Sequence, residues 1–188
     1  TPSSVYSTLM KIFSDKKNNV IPITPIAASH FRKWVSGQPD EVKAWVQNTG
    51  FKALEGTTCI LPDKGGAISG VLLGISEPLQ IWDCGNLARN LPKGHYGFQG
   101  LDDSDAATLT CLGWGFGTYH FDKYKTPKSL GTTLRWPDVC DRKYIERTLK
   151  ATFLVRDLIN TPADDMGPAE LEKACRTLAS DNGGRFKV

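Results

Sequence analysis

V-R-D-L-I-N-T-P-A-D-D-M-G-P-A-E-L, Val155 to Leu171, closes one helix and opens another within a few residues. Val155, Leu158 and Ile159 continue an apolar stripe at helical spacing. Pro162 disfavours the α conformation at Thr161 and offers no N–H, so the first helix is expected to stop near Asn160. Gly167 loosens the chain and Pro168 suits a first helical position, with Asp164 and Asp165 available to cap the next helix or favour its positive end. That second helix is expected from Pro168 to about Ser180, burying Leu171, Ala174, Cys175 and Leu178, with Asn182-Gly183-Gly184 as its stop.

Upstream, a long helix is expected from Asp138, its cap, to about Asn160, with Ile145, Thr148, Leu149, Thr152, Val155 and Ile159 as a narrow stripe. Ser129 to Trp136 reads as a short strand ended by Pro137. A helix from about Asp105 to Asp122 carries Leu109, Leu112, Phe116 and Tyr119 on one side. Within it Gly113, Gly115 and Gly117 each cost on the order of 1 kcal/mol relative to Ala, which implies a backbone crossing closely. The preceding Asp102, Asp103, Ser104 and Asp105 lack the spacing and closing Glu of an EF-hand and read as caps.

In the first part of the chain, Val20 to Ile26 is β-rich, yet Pro22 and Pro25 remove two ladder donors, so an edge strand or one that ends early is expected. His30 to Val35 and Pro39 to Gly50 read as helices, the latter with Val42, Trp45 and Val46 on one face. Thr57 to Leu61 and Ala67 to Ile75 flank a Pro62 to Gly66 turn, a hairpin signal. Leu79 to Asn90 reads as a short helix, His95 to Gln99 as a strand, and Arg185 to Val188 as the opening of another. Mixed strands and helices followed by helices alone give an α/β domain with a mixed sheet covered by helices.

The 188 residues, 40% hydrophobic, suffice for one good core and the beginning of a second. A net charge of +3 does not by itself call for a polyanion. Five widely spaced cysteines, with no C-x-x-C pair, fit neither a disulfide framework nor a zinc knuckle and read as free thiols in a reducing compartment. No apolar run reaches membrane-spanning length. Beginning at Thr1 and stopping on entry to a strand, the chain is expected to be a piece of something longer, with a lost targeting peptide left open.

Chemistry-bearing motifs are scarce. The Gly65-Gly66 turn lacks P-loop spacing, and the G-x-G-x-G at Gly113 lies inside a helical pattern instead of at a strand-to-helix turn. His30, His95 and His120 form no H-E-x-x-H arrangement, and no G-x-S-x-G elbow occurs. Lys123, Lys125 and Lys128, interleaved with Tyr124, form a small basic patch that reads first as a solvated helix end. A nucleic-acid reading of it is open but gains nothing from the overall charge.

The wording of the junction, R-D-L-I-N-T-P-A-D-D-M-G-P-A-E-L, resembles the segment opening the catalytic domain in the leucyl aminopeptidase (cytosol aminopeptidase) family of two-metal peptidases. L-G-W-G-F-G-T-Y-H-F-D-K-Y-K, Leu112 to Lys125, is similar to a Gly-rich helix of that family, and W-V-S-G-Q-P-D-E-V-K-A-W-V, Trp34 to Val46, matches more loosely. The polar, turn-like residues at 1–19 read as a flexible arm, and the resemblance implies a macro-like N-terminal α/β domain at 20–136, a linker helix at 137–160 and the start of a truncated catalytic domain at 161–188.

It further implies release of N-terminal residues from peptides by an intact, hexameric, cytoplasmic enzyme using two divalent metals, manganese or zinc. The family's N-T-D-A-E-G-R and G-K-G motifs do not occur here. No catalytic or metal residue is therefore carried over, no cofactor is expected in this chain, and peptide substrates would be met by the missing catalytic domain. What carries over is a domain-junction motif of Arg156, Asp157, Asn160, Thr161, Pro162, Asp165, Met166 and Gly167, with Asp164 where relatives often have Asn. A role in supporting assembly and access to the catalytic domain follows. The alternative is a macro-like binding module for nucleotide, ADP-ribose or DNA without peptidase activity.

Overall fold

The computed structural model describes residues 12–125 and 130–188. Six strands form one sheet in the order β1-β6-β5-β2-β4-β3, where β1 is Phe13–Ser14, β2 Ile21–Ala27, β3 Thr58–Pro62, β4 Ile68–Ile75, β5 Gly94–Phe98 and β6 Thr132–Arg135. Neighbours run parallel except β3, which pairs antiparallel with β4. The sheet is thus mixed, as expected. Of the arm anticipated at 1–19, residues 1–11 lie outside the described part, Ile12 and Phe13 are buried, and Asp15 to Asn19 are exposed.

β2 is not an edge strand. It lies between β5 and β4, and its prolines mark where its two ladders begin and end. The Ile23 carbonyl accepts from Gln99 N–H, so the odd residues of β2 address β5 and the even ones β4. Pro22 faces β4 just before their first pair, Ile23↔Val71, and Pro25 faces β5 just beyond their last, Ile23↔Phe98. Each missing N–H falls where no ladder partner is required.

Helices cover both faces. On one, Phe31, Trp34 and Val35 of α1 (Ala28–Ser36), with Val42 and Val46 of α2 (Asp40–Asn48), pack on Ile26, Cys59 and Leu72. The opposite face carries Ile23, Val71, Leu73, Tyr96 and Leu134, all essentially inaccessible. There the Tyr96 ring lies 6.2 Å from Trp114 of α4 (Ser104–Thr118). Full burial of a Leu-sized side chain contributes roughly 1.5–3 kcal/mol, so these two layers dominate stability.

α4 differs from the expected one-sided helix, because burial runs almost around it. Its glycines show why. A Cβ on Gly113 would lie 2.2 Å from the Ile81 carbonyl oxygen, and one on Gly117 2.0 Å from that of Gly85. At Gly115 the Leu149 side chain fills the space, with Cδ1 2.5 Å from the same hypothetical atom. The stretch crossing α4 is not the continuous helix expected at 79–90. It is a 3-10 turn at Ile81–Cys84 and a short α3, Leu87–Asn90. The buried Asp83 carboxylate accepts from Ser76 N–H, Ser76 Oγ and Gln80 N–H at 2.9–3.0 Å, which ties the turn back to the end of β4.

α4 also stops at Thr118, four residues earlier than its apolar pattern suggested. Arg89 donates from Nε to the Gly117 carbonyl at 2.6 Å and from its guanidinium to the Tyr119 carbonyl, satisfying the helix's last acceptors. At the other end Asp103 is the cap, accepting from Ala106 N–H at 2.8 Å. The next helix, α5 (Arg142–Asn160), is capped by Asp141, whose Oδ1 accepts from Tyr144 N–H at 2.9 Å. Asp138, the expected cap, is held instead by Arg135 at 2.8 Å.

The chain divides into two compact units, one of residues 12–119 with 130–149 and the other of 120–125 with 150–188 among those described. The second unit contains the remainder of α5 and α6 (Pro168–Asp181). The stripe expected to be buried on α6 is not: Leu171 is 48% and Leu178 49% exposed, and Ala174 and Cys175 are half-buried. An apolar stripe is buried only where another layer lies on it, and none does among the described residues of this unit. Residues 184–188 form no strand, since an isolated extended segment has no ladder.

Candidate functional site

The junction folds as its prolines direct. α5 ends at Asn160, carrying Arg156, Asp157 and Asn160 in its last turns. Thr161 closes it, its N–H and Oγ1 both donating to the Asp157 carbonyl, at 3.0 and 2.7 Å. Pro162 is extended, and Ala163–Asp165 make a 3-10 turn in which Asp165 N–H meets the Pro162 carbonyl at 2.9 Å. Past Met166, Gly167 donates its N–H to the Glu170 carboxylate at 3.0 Å, and Pro168 is the first residue of α6. Neither Asp164 nor Asp165 caps that helix. Glu170 does the work expected of them, reaching back from the first turn.

Asp165 has another task. Its carboxylate accepts the Tyr124 hydroxyl and lies 3.5 Å from Lys123 Nζ. Lys123 in turn sits 5.4 Å from the centre of the Tyr124 ring, and Phe121 meets that ring edge-on at 5.8 Å. The Tyr124 hydrogen bond, aided by the Lys123 charge, holds the Asp165 carboxyl below the usual carboxylate range. The same bond raises the Tyr124 phenol above its ordinary value.

Lys123 and Tyr124 of the basic patch and Asp165 of the junction, separate in the sequence, are thus one cluster. Lys123 and Lys125 do not end a helix, since α4 stops at Thr118, and Lys128 lies outside the described residues. No sequence signal joined Tyr124 to Asp165, which stand 41 positions apart. The cluster is exposed and holds a single carboxylate with its two partners. It can pin the 121–125 segment to the 163–165 turn, but it has no nucleophile.

Among the described residues no three His, Cys, Asp or Glu side chains come together as a metal would require, so the residues present do not fit one. His95 is engaged on both ring nitrogens, by Thr133 Oγ1 at 2.8 Å and the Lys16 carbonyl at 2.9 Å. His30 lies 3.3 Å from Glu77. A cleft of about 530 Å³ opens at the carboxyl ends of β2 and β4, lined by Ala27, Ser29, Leu54, Glu55 and Glu77 among others. Ser29 Oγ donates to Glu77 at 2.5 Å. Two carboxylates and no cation line that cleft, a poor receptor for the diphosphate of a nucleotide or ADP-ribose. No helix among the described residues is long and apolar enough to cross a membrane.

Residues 21–137 match the family described as M17 aminopeptidase, N-terminal domain. Among solved structures, the cytosol aminopeptidase of Coxiella burnetii is 35% identical, with a TM-score of 0.82 over 90% of this chain and 37% of its own. The bottromycin maturation enzyme BotP, solved in complex with Mn, shares the fold at 19% identity and a TM-score of 0.66, over 88% of this chain and 37% of its own. A variant of tomato leucine aminopeptidase does so at 15% identity and 0.65, over 91% and 42%. The chain therefore spans well under half the length of these enzymes. None of them favours a nucleotide, ADP-ribose or DNA module.

Proposed function

The chain belongs to the M17 aminopeptidase family, and from that premise we propose that it is the non-catalytic N-terminal part of an enzyme that releases amino-terminal residues from peptides. The observation that carries this is the family match over 21–137, joined to a fold shared with the Coxiella enzyme over 90% of the chain. The intact protein would use two divalent metals, manganese or zinc, held by residues outside this chain. The BotP structure in complex with Mn supports the use of metal. A cytoplasmic hexamer is the assembly proposed.

Within this chain the roles are structural. The domain at 20–136 supports assembly and access to the catalytic domain, the helix at 137–160 links, and 161–188 begins the catalytic domain. Arg156, Asp157, Asn160, Thr161, Pro162, Asp165, Met166 and Gly167 set the direction in which the chain leaves α5. Local bonds support this: Thr161 closes the helix on Asp157, and Asp165 fastens the following turn to Tyr124.

A leucine-anilide assay with added Mn²⁺ or Zn²⁺ tests both parts. The intact protein is expected to turn substrate over in the presence of metal, and this chain alone is not. Metal-dependent turnover by the chain alone would refute its non-catalytic role. An inert, metal-loaded intact protein would refute the peptidase assignment.

A further inference from the structure

Asn182 stands where α6 ends, and it is the one asparagine in the chain that precedes a glycine. It is exposed, as are Gly183 and Gly184. Gly183 turns left-handed at a φ of +67°, with nothing within 4 Å of the place a Cβ would take. The bonds that hold this turn are short-range. Asn182 N–H and Gly184 N–H donate to the Ala179 carbonyl at 3.2 and 2.7 Å, and Gly183 N–H to the Ser180 carbonyl at 3.3 Å. The Asn182 carboxamide donates from Nδ2 to the Leu178 carbonyl at 2.8 Å. Beyond the turn, Arg176 lies 5.4 Å from the centre of the Phe186 ring.

A helix end held by such local bonds, on a helix whose apolar stripe is half exposed, frays readily. When the turn opens, the carboxamide leaves Leu178 and the Gly183 nitrogen leaves Ser180, so the two groups are free to meet. Glycine has no side chain to shield its nitrogen, and its backbone rotates freely. Exposure does not single Asn182 out, because Asn18, Asn48 and Asn90 are exposed too. Their successors are Asn19, Thr49 and Leu91, whose side chains crowd the nitrogen that would have to attack.

We propose that Asn182 is a site of spontaneous modification, cyclising onto the Gly183 nitrogen and opening to aspartate and isoaspartate before any other asparagine of the chain reacts. The Gly183 nitrogen gives up its proton to base and attacks Cγ of Asn182. A bond forms between them, the carboxamide C–N bond breaks, and ammonia leaves with that proton, which closes a five-membered succinimide. Water then adds to one ring carbonyl. Breaking the ring bond at Cγ gives aspartate, and breaking it at the backbone carbonyl carbon gives isoaspartate. One water is consumed and one ammonia released. Either product puts a carboxylate at the negative end of α6, where charge of that sign is unfavourable, and takes the side-chain donor from the Leu178 carbonyl. Isoaspartate also lengthens the main chain by one carbon between α6 and the residues that follow.

Incubation of the purified protein in mildly alkaline buffer, with samples digested briefly by trypsin at mildly acidic pH, tests this. The peptide Thr177 to Arg185 is read against a sample taken at the start. It is expected to become one mass unit heavier and to resolve into two species, isoaspartate and aspartate, while the peptides carrying Asn18, Asn48 and Asn90 keep their amides. Conversion at any of those three before Asn182 overturns the proposal, as does a Thr177 to Arg185 peptide that stays unchanged while they react or throughout the incubation. Aspartate without isoaspartate would overturn the ring step, since direct hydrolysis of the carboxamide yields aspartate alone.

Discussion

At the scale of single residues, Tyr124 and Asp165 make the most specific claim on solution behaviour. Asp165 is held low in the folded chain, so its contribution to stability is present above the ordinary carboxylate range and is lost as pH falls through the folded value. Tyr124 is raised, so its contribution is present below the ordinary phenol range and is lost as pH rises through the folded value. Replacing Tyr124 with Phe should return the Asp165 carboxyl toward its usual range, read by carboxyl-carbon NMR titration. Lys123→Met should move it the same way by less, since the hydrogen bond outweighs the charge. An unchanged midpoint in Tyr124→Phe would mean that the bond is not made in solution. Lys123, Tyr124 and Asp165 were each noticeable in the sequence, as a cation beside an aromatic or an acid between two prolines. What no pattern supplied was the pairing across 41 positions, which only the folded chain creates.

At the scale of elements, punctuation was legible and partnership was not. The end of α5 at Asn160 and the start of α6 at Pro168 follow from proline's fixed φ and missing N–H, which act on immediate neighbours. The mid-helix glycines of α4 were also legible, as a cost needing a crossing backbone, though not which backbone crosses. By contrast, the early stop of α4 depends on Arg89, the broken 79–90 segment on Asp83, and the interior place of β2 on a stagger between its neighbours. The crossing is testable. In an exposed helix Gly→Ala stabilises by about 1 kcal/mol. At Gly117 the added Cβ would meet the Gly85 carbonyl, and the sign should reverse to a loss on the order of 1–3 kcal/mol, seen as a lower urea midpoint. A stabilised Gly117→Ala protein would show that the two backbones do not meet there.

At the scale of the whole molecule, the core lies in the sheet unit, and substitutions should reveal the imbalance. Leu149, fully buried against Gly115, is expected to cost about 2–5 kcal/mol on truncation to Ala in thermal or urea unfolding. Leu178, half exposed on α6, should stay within about 0.5 kcal/mol in the same measurement, and equal losses would contradict the burial described. Membership of the peptidase family was legible from the wording of the junction, whereas composition and periodicity reached no further than an α/β fold. The strand order carries one more consequence, for self-association. Long, flat edges invite a second chain to add a strand. Here one border, β1, is two residues long, and the other, β3, is interrupted by a shift in register and finishes at Pro62, which has no N–H to offer. Among the described residues the sheet therefore presents its own kind with little to copy, and its two borders offer fibrillar growth by edge addition a poor template.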